Sequence, residues 1–491
     1  MPALIDRLPP SVRFGLTAIA CVLPVALIVH AATFWGRGII DSEAMEFVLN
    51  YLQRRPFFAQ IFDPQINDWG AYQARELSYV FDLIDARLFA FLLDRHIFVL
   101  VPLSGVVGLI AVSAIYFWGA RKIFGLNLVT TCLLLALFLS CIVVQASTPI
   151  LYRSSKIILC IALVAFLFHL FALLKLSKTG VTLSKMVTLS LLGLVMALSD
   201  RQGFYYLVTA TALVVILWLF RKRRGESPDP AYARVIGANA AAIIATVFYN
   251  RILTPRLVHS LNGYWPDFSY QNLPWSKLFD PSLPGKAFHI FQDQIEFFFG
   301  NIPFPVLALV IVAVGVVFFW KRKGTINFAN LEVVWISLMV VLALIGLLAA
   351  MIARHPAVYT VRDHEFWYYT LTLHVIFLFG ITAWLALIDS NRLARFKPVL
   401  YALLVMLIAL NLSNYSRQRD AMIHSTKWFD SQYAHSQALV EQFRNDPPQR
   451  EKLLARSNDS FLDDPDHFLE NVELSYLHLI GIVQTEPPSR R

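Results

Sequence analysis

The sequence predicts an all-α polytopic membrane protein, and three observations support this fold class. Hydrophobic residues make up 57% of the chain and aromatic residues 14%, with a mean hydropathy of +0.57. Apolar runs of about 20 residues, long enough to cross a bilayer as helices, recur along the chain. Lysine and arginine cluster in alternate connections between these runs, as they do where charge sets membrane topology. A water-soluble fold is excluded, because it could not hide so much apolar surface.

The first apolar run predicts an uncleaved membrane helix. It extends from Phe14 to about Phe34 behind Arg7 and Arg13, and it is too long for the apolar part of a signal peptide. Further runs lie near 97–118, 126–146, 155–174, 186–199, 204–220, 235–250, 303–320, 331–353, 367–388 and 398–412. The chain therefore predicts about eleven transmembrane helices.

The distribution of positive charge predicts the orientation of these helices. Basic residues occupy the connections near 121–122, 175–185, 221–224, 321–323 and 392–397, whereas those near 147–154, 199–203 and 354–366 contain few. Because positive connections face the cytoplasm, we expect a cytoplasmic N-terminus and, with an odd number of spans, a periplasmic or extracellular C-terminus. Topology thereby accounts for the net charge of +9, and no nucleic-acid partner is expected.

Two long loops and a tail share the predicted outer face. A membrane module over 1–412 carries outer loops at 35–96 and 251–302, both with amphipathic helices, and a short outer C-terminal tail covers 413–491. The second loop alternates aromatic and polar residues, a composition typical of the lipid headgroup region. The tail is acidic and short, so we expect it to pack on the outer loops.

The first outer loop holds the candidate catalytic carboxylates. Asp41 follows the first predicted helix at the outer membrane interface, Glu43 stands close behind it, and the same loop returns with Asp68. A carboxylate at this depth meets both a lipid-borne substrate and the aqueous side, so Asp41 is the favoured general base. Tyr72 and Glu76, further along the loop, are candidate substrate-binding residues. The alternative for each acid taken singly is an ordinary solvated loop.

Candidate phosphate-binding residues stand at the outer ends of later helices. They fall in three separate turns: Arg153 with Lys156, Asp200 with Arg201, and Arg362 with His364. Arginines that converge from different loops would form a site for phosphate or pyrophosphate, because guanidinium presents paired donors to phosphate oxygens. Each arginine taken alone is equally well explained by a side chain that reaches out to the membrane surface.

No cofactor is predicted. The chain contains no nucleotide-binding glycine pattern and no CxxC or HExxH motif. The cysteines lie in apolar runs without metal-type spacing. His355 and His364 flank a turn without a third fixed ligand, so no metal site is assigned, although carboxylates from separate loops can hold a divalent cation.

The pattern resembles the GT-C superfamily of integral-membrane glycosyltransferases, which use polyprenyl-phosphate-linked sugars. The likeness is topological over nearly the whole chain, with a long first outer loop, an acidic residue just after the first helix and a second long loop after the seventh. By position, the resemblance implies that Asp41 is the key carboxylate and that Arg362 or Arg201 holds the lipid phosphate. The 147–154 loop lacks the acidic pair, and the tail lacks the WWDYG-like motif, of the metal-dependent oligosaccharyltransferase branch. A metal-independent, inverting enzyme that adds a single hexose or pentose is therefore expected.

The resemblance also implies partners and a location. The partners are a polyprenyl-phosphate-linked sugar donor, membrane lipid and an acceptor that is a glycan, a lipid or a protein. The location is a bacterial inner membrane, with the product in the cell envelope.

Other functions remain open at this point, namely a polysaccharide polymerase or ligase, a transporter or flippase of lipid-linked glycans, and an assembly subunit without chemistry. A transporter would place ionisable groups near the bilayer midplane and break helices in matched halves. The spans contain few such groups, chiefly His30, His169 and His374, and each is expected to be a helix-packing group.

Overall fold

The computed structural model describes residues 10–33, 51, 56–63, 75–94, 103–148, 154–175, 181–223, 230–267, 275–309, 328–354, 367–387, 399–415, 445–446 and 448. Over these ranges the chain forms helices, turns and loops and no β-strand. The described part is therefore all-α, in agreement with the predicted fold class.

The helices follow one another along the chain with short connections. The first eight are α1 (Pro10–Ala32), α2 (Phe57–Ile61), α3 (Glu76–Asp94), α4 (Leu103–Lys122), α5 (Leu128–Leu139), α6 (Ile142–Ser147), α7 (Ser154–Lys175) and α8 (Leu183–Ser199). The others are α9 (Arg201–Arg223), α10 (Pro230–Phe248), a π-helical segment (Tyr249–Leu253), α11 (Thr254–Asn262), α12 (Trp275–Leu278), α13 (Leu283–Phe298), α14 (Phe328–Arg354), a 3₁₀ turn (Trp367–Thr370), α15 (Leu371–Leu387) and α16 (Val399–Tyr415). A further helical segment occupies 304–309.

Six helical segments in the described ranges are long and apolar enough to cross a membrane. They are Phe14–Ala32, Leu103–Lys122, Ser154–Leu174, Arg201–Arg223, Pro230–Asn262 and Ser337–Arg354. Their outward faces carry large apolar side chains such as Phe14, Val22 and Ile244, which are 77%, 63% and 68% exposed. Because such surface is unfavourable in water, these helices support an α-helical integral membrane protein. The number of eleven spans and the orientation of the termini stay predictions.

The core is organised around α7. This helix packs against α3, α4, α8, α10 and α15, and its residues Phe166 and Phe168 are almost completely buried. Helix α4 approaches it closely at Gly119, where an added Cβ would lie 2.5 Å from Cγ of Phe168. Small residues of this kind let membrane helices pack tightly. Both ends of α7 are thereby fixed, including the N-terminal end that bears Lys156.

The span predicted at 126–146 is broken into two helices. Helix α5 ends at Leu139 and α6 begins at Ile142, with Cys141 in an extended conformation (φ −68°, ψ 134°). The break is held from outside, because Asn411 on α16 donates to Ser140 Oγ at 3.0 Å. A continuous apolar run does not reveal such a break, since the stabilising contact comes from another helix.

The seventh span continues beyond the predicted boundary near 250. The chain passes through the π-helical segment and α11 without leaving helical structure until Asn262, so the first part of the predicted outer loop is helix. Asn262 Nδ2 then donates to the carbonyl of Phe62 at 2.9 Å, which joins α11 to α2. The two predicted outer loops therefore contact each other.

The three histidines of the predicted spans all contact polar partners. His30 lies 2.8 Å from Gln145 Oε1, His169 lies 2.9 Å from the carbonyl of Lys185, and His374 Nε2 lies 2.8 Å from Gln294 Oε1. These contacts are those expected of helix-packing groups.

Candidate functional site

The predicted site residues divide into those that the structure describes and those that it does not. Glu76, Lys156, Asp200 and Arg201 lie within the described residues. The others lie outside them and stay predictions: Asp41, Glu43, Asp68, Tyr72, Arg153, Arg362 and His364. The four described residues stand at the same end of the helix bundle, where α3, α7, α8 and α9 meet.

Lys156 and Asp200 form a buried ion pair. Lys156 Nζ lies 2.7 Å from Asp200 Oδ2, and the two side chains are only 5% and 6% exposed. The ammonium also stands 4.9 Å from the ring centroid of Tyr369. Asp200 Oδ1 accepts a hydrogen bond from the Gln202 N–H at 2.9 Å. Asp200 therefore caps the N-terminus of α9 while it joins this helix to α7.

Two further buried carboxylates, on α3, meet the N-termini of other helices. Asp85 accepts hydrogen bonds from the Ser104 N–H at 3.0 Å and from the Ser104 hydroxyl, at the start of α4. Asp82 stands against Ser154, the first residue of α7. A negative charge is favoured at a helix N-terminus, where N–H groups have no intrahelical partner. Three aspartates thus serve three helix starts at one end of the bundle.

Burial changes the ionisation of these aspartates in different directions. Burial raises the pKa of Asp82 to about 7 against the opposing hydrogen bonds of Ser154, and the nearby Asp85 raises it further. Burial likewise raises the pKa of Asp85 to about 6, although Ser104 opposes the shift. Burial also acts against Asp200, but Lys156 and Arg75 outweigh it and hold the pKa of that carboxyl below its ordinary value. Asp200 is therefore ionised at neutral pH, whereas Asp82 is divided between two protonation states.

Glu76 and Arg75 begin α3 beside this cluster. Glu76 is 6% exposed, and it interacts electrostatically with Tyr249 in the π-helical segment. Arg75 is close enough to Asp82 and Asp200 to favour the charged form of both. Helix α3 therefore connects the buried aspartates to the end of α10.

A larger cavity opens on the other side of the α8–α9 junction. Its volume is about 180 Å³, and three arginines from three different elements line it: Arg201 on α9, Arg251 in the π-helical segment and Arg354 at the end of α14. Arg354 Nη1 donates to Tyr205 Oη at 3.4 Å. The remaining lining residues are Ala197, Phe204, Tyr205, Thr246, Val247 and Asn250. We refer to this space as the arginine cavity.

The arginine cavity brings together one predicted residue and two that the sequence interpretation did not select. Arg201 was a candidate, whereas Arg251 and Arg354 were assigned to the ends of the seventh and ninth spans without a role. The available signal was their position, since each follows an apolar run directly. The sequence does not show which helix ends are neighbours, because that depends on tertiary packing.

The arrangement suits binding of an anionic group. Guanidinium groups offer forked donors that match phosphate oxygens, and π-helical turns frequently occur at functional sites. Asp82 and Asp85 on α3 were also missed as candidates, and their contacts with Ser154 and Ser104 give them a structural task. Within the described ranges no group of three or more His, Cys, Asp or Glu side chains is arranged to hold a metal ion.

Comparison of the chain with models of known protein families, with curated proteins and with solved structures finds no match. The function must therefore be inferred from the residues of the site themselves.

Proposed function

We propose that the protein is a membrane glycosyltransferase that moves a sugar from a polyprenyl-phosphate donor to an acceptor at the outer face of the membrane. The arginine cavity is the observation that carries this proposal. In the proposed topology, with about eleven spans and a cytoplasmic N-terminus, Arg201, Arg251 and Arg354 all belong to outer helix ends. A bacterial inner membrane, with the C-terminal tail on the periplasmic side, is the setting that this chemistry requires.

The surroundings of the cavity fit a phosphate that is attached to a lipid. Three guanidinium groups line one space of about 180 Å³, which is enough room for a phosphate group and part of a sugar. On α10, next to Arg251, the apolar side chains Ile244, Val247 and Phe248 are 68%, 47% and 52% exposed. A polyprenyl chain can lie along this face while its phosphate reaches the arginines.

The proposed reaction is a single displacement at the anomeric carbon of the sugar. The acceptor oxygen forms the new bond to that carbon, the bond to the phosphate oxygen breaks, and the electron pair leaves with the phosphate. The arginines stabilise the negative charge that develops there. A carboxylate takes the proton of the acceptor hydroxyl, and Asp41 is proposed for this role, with Glu43 and Asp68 beside it. One displacement inverts the anomeric configuration, and no metal ion is required.

The first test measures sugar transfer by purified protein in lipid nanodiscs. Polyprenyl-phosphate donors with different labelled sugars are offered to the wild type, to Arg251→Gln and to Asp41→Asn. Loss of one charge-assisted contact costs about 1.5–3 kcal/mol, so Arg251→Gln is expected to weaken donor use about 10- to 100-fold. Asp41→Asn is expected to abolish transfer while donor binding persists.

Arg256→Gln is the matched control for this test. Arg256 lies on α11, five residues along the same helical segment, and is exposed outside the cavity. Its replacement is expected to leave transfer unchanged. Equal activity of Arg251→Gln and Arg256→Gln would contradict a phosphate site in the cavity, and wild-type protein that transfers no sugar from any donor would contradict the glycosyltransferase itself.

The break between α5 and α6 favours a second candidate, a flippase of lipid-linked glycans. Cys141 at the break lies 3.1 Å from His374 Nδ1, inside a buried polar group that includes Gln294. Broken membrane helices with polar contacts are typical of transporters. Accelerated translocation of a fluorescent polyprenyl-phosphate sugar across proteoliposomes, without sugar transfer, would support this candidate. A polymerase or ligase would instead show transfer only when the acceptor is itself a glycan.

A further inference from the structure

The junction between α8 and α9 consists of a single residue. Helix α8 ends at Ser199, α9 begins at Arg201, and Asp200 between them has an extended backbone (φ −163°, ψ 152°). Its side chain turns into the bundle, where Oδ2 binds Lys156 Nζ at 2.7 Å and Oδ1 binds the Gln202 N–H at 2.9 Å. Both carboxylate oxygens are therefore fixed from opposite sides of the junction.

Arg201 is the next residue and lines the arginine cavity. With no linker on either side, the direction of its side chain depends on the conformation of Asp200. The first turn of α9 is also fixed against α8, since an added Cβ on Gly203 would lie 1.9 Å from the carbonyl oxygen of Met196. Arg201 thus leaves a rigid helix start, and the ion pair determines how that start is oriented.

Lys156 does not line the arginine cavity. It lines a separate space of about 10 Å³, together with Ser104, Ser147 and Ser154. A buried ion pair is often no more stabilising than an apolar pair of similar volume, so stability alone gives little reason for its presence. Its geometric consequence is specific, because it acts on the residue that precedes Arg201.

We propose that Lys156 and Asp200 form a positioning pair that holds Arg201 in the arginine cavity, so that phosphate affinity depends on a lysine which does not contact the phosphate. This inference rests on the phosphate-binding role given to the cavity under the proposed function. Lys156 is a positioning residue that acts through Arg201, and its effect must vanish when Arg201 is absent.

A double-mutant cycle tests this dependence, because coupled residues give non-additive effects. The dissociation constant of farnesyl phosphate is measured by titration calorimetry for the wild type, Lys156→Met, Arg201→Gln and the variant with both changes. Each single change is expected to weaken binding about tenfold or more, whereas Lys156→Met adds less than about twofold to Arg201→Gln. On an Arg251→Gln background, Lys156→Met keeps its full effect.

Inorganic phosphate serves as the second probe. Binding of farnesyl phosphate much tighter than of inorganic phosphate identifies a lipid-borne phosphate, and equal affinities identify a free phosphate as the ligand. The same cycle then applies to whichever probe binds. Additive effects of Lys156→Met and Arg201→Gln, or unchanged affinity in Lys156→Met, would overturn the positioning role.

Lys156→Met leaves a buried carboxylate unpaired and can impair folding. The combined variant Lys156→Met with Asp200→Asn removes both charges and retains an oxygen that can cap the Gln202 N–H. It is expected to be more stable to heating than Lys156→Met alone and still to bind farnesyl phosphate about tenfold more weakly than the wild type. Full wild-type affinity in this variant would show that the pair has only a structural role.

The two proposals fail in different ways. If neither probe binds the wild type, or if Arg251→Gln binds as well as the wild type, the phosphate site falls and the positioning role falls with it. If binding depends on Arg251 and Arg201 but not on Lys156, the positioning role alone is wrong.

Discussion

Two cavities near the α8–α9 junction treat charge in opposite ways. The small one, about 10 Å³, is lined by Lys156, whose charge is paired with Asp200 inside the bundle. The arginine cavity, about 180 Å³, is lined by Arg201, Arg251 and Arg354, none of them fully buried. Asp200 and Arg201 are adjacent in sequence, yet one faces each side. The charges that hold the helices together are thereby separated from the charges that a ligand can reach.

The largest effect on the buried side is expected from Lys156→Met. The change leaves the Asp200 carboxylate buried without its cation, and breaking a buried pair in this way costs about 3–5 kcal/mol. Chemical denaturation in detergent micelles measures the loss of unfolding free energy. Lys277→Met is the control, since Lys277 is exposed, and a loss equally small in both variants would mean that the ion pair does not hold the junction.

The pH dependence of stability provides a second, smaller test. The folded protein raises the pKa of Asp82 from 3.8 to about 7 by burial and that of Asp85 to about 6, so the fold favours the protonated carboxyls. This contribution is complete below about pH 4 and is lost as the pH rises through 6 and 7. Between about pH 5 and pH 8, Asp82 accounts for a loss of about 3 kcal/mol.

Replacement of Asp82 isolates this term. Asp82→Asn is expected to flatten the fall in unfolding free energy between about pH 5 and pH 8, measured by denaturation at a series of pH values. Asp280→Asn serves as the control, because hydrogen bonds from Ser282 lower the pKa of this exposed carboxyl and place its titration below the tested range. An unchanged pH profile in Asp82→Asn would show that Asp82 is ionised in the fold.

The smallest expected effect comes from Gly203→Ala, which tests the rigidity that the junction gives to both sides. The added methyl group would meet the Met196 carbonyl at 1.9 Å, and such overpacking costs about 1–3 kcal/mol. Gly237→Ala on α10 has no atom within 4 Å of the new Cβ, so there the better helix propensity of alanine stabilises by about 0.5–1 kcal/mol. Melting temperatures that shift in opposite directions support the close approach, whereas two upward shifts contradict it.

The helices were predictable because apolar runs of membrane length determine them locally. Lys156, Asp200 and Arg201 were also within reach, since polar residues between two apolar runs stand out. The pairing of Lys156 with Asp200, rather than with a ligand, was not predictable, because it requires α7 and α8 to be neighbours at a known register. The same limit applies to Arg251 and Arg354, which form a site only when three helix ends meet.

Asp82 and Asp85 illustrate a different limit. The sequence placed them in a polar loop, where solvated acids are common. Their spacing along α3, together with Tyr79 and Ala86, puts them on its buried face, and helical periodicity could have revealed this. Which helix starts they would meet depends on packing.

The π-helical segment Tyr249–Leu253 gives a helix of 33 residues, Pro230–Asn262, two independent phases. An α-helix advances about 100° per residue, so its two ends are normally locked in rotation. One wider turn interrupts this lock, and α11 can keep Asn262 against α2 while Arg251 faces the arginine cavity. Loop 35–96 and the cavity can therefore change in sequence separately, because a substitution that suits one end of this helix does not rotate the other.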